Sequence, residues 1–303
     1  MQDQTQITVK PLSVHIGAEI EGVDLTQPLG DQAVTEIRTA LLQWKVVFFR
    51  NQFLSHAQHV HFARQFGDPT PGHVVFGGDD EYPEIYSVAK HRTANQGKPS
   101  VKHSWTGWHA DITAAVNPPF ASILRGEIVP PYGGDTQWTN LAAAYQDLSP
   151  TMRTFLTQLR TVHSYNNPTQ ALDATAYNEK LNANNLITEH PLVRVHPETG
   201  EEVLYVSPNF AKSIVGLTPT ESEALLVLLK EHAVRPEYTV HFKWAPGSIA
   251  FWDNRATAHL APSDIYATDF DRQFYRVTLN GDIPVGVDGE PSRLISGRMI
   301  EAI

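Results

Sequence analysis

The sequence predicts an α+β fold that is rich in strands. Residues 7–67 alternate strand and helix patterns, and from about residue 83 short apolar runs separated by turn residues dominate. The chain has 303 residues, of which 41% are hydrophobic, so a sizeable core is possible. No linker, repeat or low-complexity tract divides it. We therefore expect a single domain over residues 1–303.

The first elements follow from apolar spacing and from capping residues. Asp31 can cap a helix whose apolar residues recur every three to four positions, and Ser55 can cap a second helix. No glycine-rich phosphate loop accompanies this start. In order, we predict strands at 7–12 and 16–25, a helix from Asp31, a strand at 45–50 and a helix from Ser55 to near Gly67.

Beyond residue 83, turn and capping residues delimit the elements. Thr218 and Glu221 form a capping-box pattern, with Pro219 at the first helical position. The polar stretches 89–107 and 166–190 predict loops beside a functional site. We predict strands at 84–88, 120–125 and 272–279, hairpins at 193–206 and 238–252, and helices at 151–160 and 218–233.

Composition excludes several classes of protein. The net charge of −10 disfavours nucleic-acid binding, because phosphate contacts need clustered lysine and arginine. The absence of cysteine excludes disulfides, thiolate metal sites and cysteine nucleophiles. No run approaches the roughly 18 apolar residues that span a bilayer, and the polar start has no signal-peptide pattern. We expect a cytoplasmic protein without a membrane or nucleic-acid partner.

His109 and Asp111 form the most informative pair in the chain. If the segment is extended, residues i and i+2 point to the same side, so an imidazole and a carboxylate face one point in space. Two histidines and one carboxylate bind one face of a ferrous ion and leave its other positions open. His259, just after a strongly apolar strand, can supply the third ligand, although a histidine at a strand end can equally be structural.

Two arginines and a threonine suggest anion binding. On a strand, Arg272 and Arg276 share a face with their Cα atoms about 13 Å apart. Inward arginines are costly unless each meets an anion, so two separate anions are expected. The alternative is a pair of surface or ion-paired arginines on an edge strand. Thr136, after two glycines, offers a second donor for a carboxylate, although Gly-Gly-Asp is also a common turn.

Four segments together resemble the TauD/TfdA family, which includes taurine dioxygenase and 2,4-dichlorophenoxyacetate dioxygenase. They are Trp-His-Ala-Asp-Ile-Thr (108–113), Pro-Pro-Tyr-Gly-Gly-Asp-Thr-Gln-Trp-Thr (130–139), Trp-Asp-Asn-Arg-Ala-Thr-Ala-His (252–259) and Arg-Gln-Phe-Tyr-Arg-Val-Thr-Leu-Asn-Gly-Asp (272–282). Within the family, His-Pro-Leu-Val-Arg-Val-His-Pro-Glu-Thr-Gly (190–200) and Ser-Arg-Leu-Ile-Ser-Gly (292–297) are similar to the alkylsulfatase branch. The resemblance implies a double-stranded β-helix, or jelly roll, with flanking helices.

The resemblance also implies a cofactor and a co-substrate. Members are oxygenases that use Fe(II), 2-oxoglutarate and O2. On this chain His109, Asp111 and His259 would bind the iron, and Arg272 with Thr136 would hold the distal carboxylate of 2-oxoglutarate. A homo-oligomer, either a dimer or a tetramer, is expected.

The resemblance also implies residues that would contact the substrate, and two of these differ from the residues of taurine enzymes. Arg276 would face either the anionic group of a small substrate or the iron-proximal carboxylate of 2-oxoglutarate. His73 would contact the substrate's anionic group, and Ile112 would line the pocket. Phe76 stands where taurine enzymes have a tyrosine, and Trp105 stands where they have a small amide residue. These departures argue against taurine and favour a more apolar organic tail.

Several functions therefore compete. The favoured substrate is an alkyl sulfate ester or a sulfonate, oxidised at the carbon next to the heteroatom with release of succinate and CO2. A carboxylate substrate, such as a phenoxyalkanoate or an acidic natural-product intermediate, is the rival within the family. Two further hypotheses belong to other functional classes. One is a zinc hydrolase that uses the same three ligands, and the other is a non-catalytic jelly roll that binds an anion.

Overall fold

The computed structural model describes residues 7–73, 77–89, 103–165, 185–261 and 263–303. In this part of the chain the helices are α1 Asp31–Trp44, α2 His56–Arg64, α3 Leu141–Gln146, α4 Pro150–Leu156 and α5 Pro219–Ala233, with 3-10 turns at Pro236–Tyr238 and Ser263–Ala267. The strands are β1 Thr8–Pro11, β2 Ala18–Glu21, β3 Val46–Phe49, β4 Tyr86–Ala89, β5 Ala121–Ile128, β6 Thr136–Asn140, β7 Arg160–Ser164, β8 Ile187–Pro191, β9 Val193–Val195, β10 Glu202–Leu204, β11 Ala211–Ile214, β12 Thr239–Phe242, β13 Ile249–Asp253, β14 Thr257–Leu260, β15 Gln273–Leu279, β16 Val285–Gly286 and β17 Arg293–Ser296.

A seven-stranded sheet with the order β1-β2-β3-β13-β5-β15-β4 forms the centre of the fold. Its strands pair antiparallel except for β2 and β3, which run parallel. In β3, Val47 and Phe49 pack in the core cluster that includes residues of α1 and α2, whereas Val46 and Phe48 pack in a different cluster. Because successive side chains alternate between faces, both faces of this sheet are buried.

A three-stranded sheet, β12-β6-β14, covers the face opposite the helices. Trp138 from β6 and Phe242 from β12 pack in the same core cluster as Phe48, Trp252 and Phe274 from the large sheet. The rings of Phe48 and Phe242 stack with their centroids 3.9 Å apart. Two facing sheets with interdigitating side chains make a sandwich core.

Two smaller sheets, β11-β7-β8-β17 and β10-β9-β16, complete the β structure of the described residues. The chain is thus β-rich with flanking helices, as the sequence predicts. No helix among the residues that the structure describes is both long and apolar enough to cross a bilayer. The expectation of one domain over residues 1–303 stays a prediction.

Several local predictions are confirmed. Ser55 caps α2, and Thr218 caps α5, each in a reciprocal capping box. The predicted hairpin at 193–206 forms as β9 paired antiparallel with β10, with Gly200 at φ 73° in its loop. Local sequence was sufficient here because both partners of each interaction lie within a few residues of each other.

Other predictions are wrong, and each error has a physical cause. The segment 238–252 is not a hairpin, since β12 pairs with β6 whereas β13 pairs with β3 and β5 in the facing sheet. The cap of α1 is Gly30 rather than Asp31, and Asp31 instead places its charge in the first turn. The helix expected at 151–160 ends at Leu156, and α3, capped by Asn140, was not predicted.

The two polar stretches are described only in part. Residues 90–102 and 166–184 lie outside the described residues, so the loop predictions there stay predictions. The end of the second stretch is not a loop, because Ile187–Pro191 forms β8.

A buried ionic cluster joins the end of β13 to the hairpin of β9 and β10. Asp253 is fully buried, accepts a hydrogen bond from His196 Nε2 at 3.0 Å and accepts two from the Arg255 guanidinium at 2.7 and 2.9 Å. Burial would raise the pKa of Asp253, but Arg255 and His196 hold it well below its ordinary value. The carboxylate is therefore charged and fully partnered.

Replacement of Asp253 by Asn should destabilise the protein by roughly 1.5–3 kcal/mol at pH 7, because the buried Arg255 loses one of its two ionic partners and keeps only Glu198. The folded pKa is depressed, so the stabilisation is present above the unfolded pKa of about 4 and is lost as pH falls through and below that value. Urea unfolding of both proteins at several pH values measures the difference.

The matched control is Glu21→Gln, which breaks an exposed pair with Lys10 in which both side chains are 54% exposed. That change should cost less than about 1 kcal/mol. An Asp253→Asn protein as stable as the control variant at pH 7 contradicts the prediction.

Candidate metal centre

His109, Asp111 and His259 come together at one point although they are far apart in sequence. Their ligand atoms lie within 4.8 Å of one another. A backbone bridge brings them there: the His109 N–H donates to the His259 carbonyl at 2.9 Å, and the His259 N–H donates to the His109 carbonyl at 2.7 Å. His259 lies on β14. A strand of the three-stranded sheet therefore supplies one ligand, and the loop that contains His109 and Asp111 supplies the other two.

The two imidazoles are prepared for metal binding. His109 Nδ1 lies 3.0 Å from the Gly107 carbonyl, which can only accept, so Nδ1 carries the proton and Nε2 keeps its lone pair for a metal. Burial lowers the pKa of His259 to about 3, with His109 contributing. His259 is therefore neutral, the form that binds metals, and its buried Nδ1 has no hydrogen-bond partner in the described part of the chain.

Asp111 is fully enclosed by polar partners. Ser122 Oγ donates to Oδ2 at 2.7 Å, and Arg276 Nη1 donates to Oδ1 at 2.6 Å. Burial would raise the pKa of Asp111, but Arg276, followed by His259 and His109, lowers it below its ordinary value. A carboxylate ligand must be ionised to bind a metal, and this environment keeps it so.

A hydrogen-bonded chain behind Asp111 was not predicted from the sequence. Trp252 Nε1 donates to Asn254 Oδ1 at 2.8 Å, Asn254 Nδ2 donates to Ser122 Oγ at 2.8 Å, and Ser122 donates to Asp111. All four are buried. The available signal was a serine in the apolar strand β5 and an asparagine just after the apolar strand β13.

Ile112 has φ 51°, a left-handed conformation that is rare for a β-branched residue. Such a conformation costs about 1–2 kcal/mol. It turns the chain directly after Asp111, so the strain lies at the ligand itself. The side chain is buried in a cluster with Phe210 and Ile300.

A cavity of about 320 Å³ opens onto the ligands. Its polar wall includes Arg276 and His73, and its apolar wall includes Ile112, Val88 and Phe210. The described residues that line it are His73, Tyr86, Val88, Gly107, His109, Asp111, Ile112, Tyr165, Asn209, Phe210 and Arg276. The structure thus brings His73, Ile112 and Arg276 together with two of the ligands; the sequence did not indicate Tyr86, Tyr165, Asn209 or Phe210.

His73 stands in this wall as a neutral side chain. Burial, together with the nearby Arg276 guanidinium, lowers its pKa to about 3. Its Nε2 lies 3.3 Å from the Tyr165 hydroxyl, and its ring lies 4.8 Å from the Tyr86 ring. Toward an anion, His73 can act as a hydrogen-bond donor but not as a charge.

Arg272 lies in a separate, buried position. Its guanidinium stacks on the Phe274 ring at 3.9 Å, and Nη2 donates to the Gly134 carbonyl at 3.4 Å. A Cβ on Gly134 would come within 3.1 Å of Arg272 Nε, so glycine allows the close approach. Arg272 is 9% exposed, forms no salt bridge with another described residue, and has a buried Nε without a partner.

Thr136 belongs to the same part of the molecule. Its hydroxyl oxygen accepts a hydrogen bond from Trp244 Nε1 at 2.9 Å, and the Trp244 ring packs on Phe274, the ring that carries Arg272. The Thr136 hydroxyl can still donate its own proton. A buried guanidinium with an unused N–H, linked through the Phe274 and Trp244 rings to a hydroxyl donor, fits a carboxylate such as the distal one of 2-oxoglutarate.

Neither of the two remaining predicted substrate residues is among the described residues that line the pocket. Trp105 is absent from the described lining; it stacks on His103 at 4.8 Å and lies beneath Lys230 Nζ at 4.7 Å. The ammonium and the apolar cluster around Trp105 hold the ring away from the cavity. Phe76 lies outside the described residues.

Comparison with known proteins agrees with this geometry. The family described as taurine catabolism dioxygenase TauD, TfdA matches residues 8–278. The α-ketoglutarate-dependent sulfate ester dioxygenase of Pseudomonas putida is 38% identical over 296 residues, covering 95% of this chain and 94% of that protein. The alkylsulfatase of Acinetobacter baylyi is 36% identical over 293 residues, covering 94% of this chain and 88% of that protein.

A solved structure extends the likeness to three dimensions. A taurine dioxygenase from Burkholderia xenovorans superposes with a TM-score of 0.86 at 61% identity, covering 96% of this chain and 95% of that chain. The chain therefore belongs to the TauD/TfdA family of 2-oxoglutarate-dependent dioxygenases.

Proposed function

We propose that this protein is an iron(II)- and 2-oxoglutarate-dependent dioxygenase that oxidises a small alkyl sulfate ester or sulfonate at the carbon next to the heteroatom. The observation that carries the proposal is the cluster of His109, Asp111 and His259. Two histidines and one carboxylate form the facial ligand set of non-haem iron oxygenases. The buried Arg272, linked to Thr136 through the Phe274 and Trp244 rings, would supply a place for the co-substrate.

The side chains of this protein would hold and orient the metal and the co-substrate. Iron(II) and 2-oxoglutarate, when bound, supply the activation of dioxygen and the oxidation of a C–H bond, with succinate and CO2 as products. His109, Asp111 and His259 would hold the metal, and Ser122 and Arg276 keep the carboxylate oriented and ionised. Arg272, with the Thr136 hydroxyl, would hold the distal carboxylate of 2-oxoglutarate.

The pocket supports a small substrate with one anionic end. Arg276 and His73 supply a charge and a neutral donor on one side, and Val88, Ile112 and Phe210 supply an apolar side. A hydroxylated carbon that bears a sulfate ester collapses to an aldehyde and inorganic sulfate, and one that bears a sulfonate releases sulfite. Two relatives carry names for sulfate ester chemistry, which favours this class.

We also propose that the two facing sheets form a double-stranded β-helix. The support is the antiparallel pairing around one shared core and the position of the candidate site at the β14 end of the small sheet. A dimer or tetramer in solution stays a prediction.

Removal of the metal should abolish activity. Chelation followed by Fe(II) should restore succinate release, whereas Zn(II) should not, because zinc cannot support oxygen chemistry. His259→Ala should abolish metal binding and turnover, and His61→Ala, at an exposed histidine of α2, should change neither. Turnover without oxygen and 2-oxoglutarate would support a hydrolase instead, and no succinate under any condition would support a non-catalytic protein.

Arg272→Gln should weaken 2-oxoglutarate binding by at least about 30-fold. Loss of one partner of a buried, hydrogen-bonded charge pair costs roughly 2 kcal/mol or more, and 1.4 kcal/mol is tenfold. Calorimetric titration of the Co(II)-loaded protein with 2-oxoglutarate measures this. Arg293→Gln, at a side chain 58% exposed, is the control and should bind normally; equal affinity in both variants contradicts the role given to Arg272.

The released product identifies the substrate class. With Fe(II), 2-oxoglutarate and a panel of alkyl sulfates, sulfonates and phenoxyalkanoates, we expect succinate release coupled to inorganic sulfate or sulfite. Taurine belongs in the panel, because Trp105 is not in the described pocket wall and no longer argues against it. A phenol or a hydroxyacid as the main product would assign the protein to the carboxylate branch.

A further inference from the structure

The loop that follows Asp111 is held by one face of a different sheet. Thr113 and Ala114 are fully buried and lie outside any strand or helix. Three side chains from β7 and β8 make hydrogen bonds to them. Buried polar groups outside regular secondary structure need hydrogen-bond partners. The three side chains supply such partners to this loop, which is not part of a strand.

Each contact is short and buried. His190 Nε2 lies 2.7 Å from the Thr113 carbonyl, and His163 Nδ1 lies 3.0 Å from Thr113 Oγ1. Thr188 Oγ1 donates to the Ala114 carbonyl at 2.8 Å. His163, Thr188 and His190 are each 0% exposed.

The pairing of β7 with β8 places the three side chains side by side. His163 is the register partner of Thr188, so the two lie directly opposite each other on adjacent strands. His190 follows Thr188 by two residues and therefore projects from the same face. Thr113 thus sits on a patch of three polar groups built by the sheet.

The proton positions of His190 follow from its partners. Burial lowers the pKa of His190 to about 3, so the ring carries one N–H. A carbonyl can only accept, so Nε2–H donates to Thr113 at 2.7 Å. The Thr113 carbonyl therefore fixes which ring nitrogen of His190 carries the proton.

The turn between Asp111 and Thr113 is the strained one at Ile112. A non-glycine residue keeps such a conformation only when contacts on both sides of it hold the backbone in place. On the near side Asp111 is held by Ser122 and Arg276. On the far side the sheet holds Thr113, so the turn is fixed from both ends.

We propose that His190, with His163, is a positioning residue for the metal centre: it holds Thr113 and so keeps the turn at Ile112 in the conformation that aims Asp111. This inference rests on the proposed function, because it takes Asp111 as a metal ligand. Neither histidine touches the ligand atoms or the substrate cavity among the described lining residues. Their effect passes through Thr113, at its carbonyl for His190 and at its hydroxyl for His163.

The test measures Co(II) binding to the full-length, metal-stripped chain by its d–d absorption, together with succinate release. His190→Leu removes the donor and keeps an apolar side chain in the core. We expect the Kd for Co(II) to rise on the order of 10- to 100-fold, as for other groups that orient a ligand, with a changed d–d spectrum. His190→Gln, whose amide can donate to the same carbonyl, should recover most of the affinity.

His59→Leu is the matched control. His59 is also 0% exposed, but it lies on α2, and none of the described hydrogen bonds joins its ring to the loop that follows Asp111. A Kd within about threefold of the wild type in this variant, even if its Tm falls, separates positioning from a general loss of stability.

The outcomes are distinct. A His190→Leu protein with unchanged Kd and spectrum overturns the inference. If that variant does not fold, Thr113→Val decides, since it removes the hydroxyl that meets His163; weaker Co(II) binding supports the inference and wild-type binding overturns it. A wild-type protein that does not bind Co(II) overturns the proposed metal centre itself, and this inference with it.

Discussion

Two backbone hydrogen bonds between His109 and His259 bring the candidate site together. They join a loop to strand β14, and with it two parts of the chain that local sequence cannot relate. Because a backbone bridge fixes the distance between the two Cα atoms to a narrow range, the imidazoles reach the same point without further adjustment. Asp111, two residues after His109, then needs only a turn to join them.

That turn creates an electrostatic requirement. A carboxylate that is 3% exposed loses most of its hydration, and it stays ionised only with a nearby charge or several hydrogen bonds. Arg276 provides the charge, and Ser122 provides a hydrogen bond. The sequence suggested that each inward arginine meets its own anion; the anion beside Arg276 in this structure is Asp111. The buried Nε–H of Arg272 has no partner among the described residues and remains available for a second anion.

The segment 190–198 connects the two halves of the site. His190 holds the loop after Asp111, and His196 holds Asp253, which ends the strand before His259. Glu198 extends the same cluster by pairing with Arg255 at 2.7 Å. One hairpin and the strand before it thus contact both ligand-bearing segments, which explains why a histidine-rich stretch without metal-ligand spacing is buried rather than exposed.

The sequence by itself determined the chemistry and the local elements. Ligand type is a property of single residues, and the His109–Asp111 spacing, the caps at Ser55 and Thr218, and the β9–β10 hairpin depend on neighbours within a few positions. Only the tertiary structure decided which strands pair across the sandwich, and so why residues 238–252 divide between two sheets. It also decided that Trp105 packs beneath Lys230, and that His190 supports Thr113. These outcomes depend on contacts between distant segments, where packing and burial outweigh any preference encoded in the local sequence.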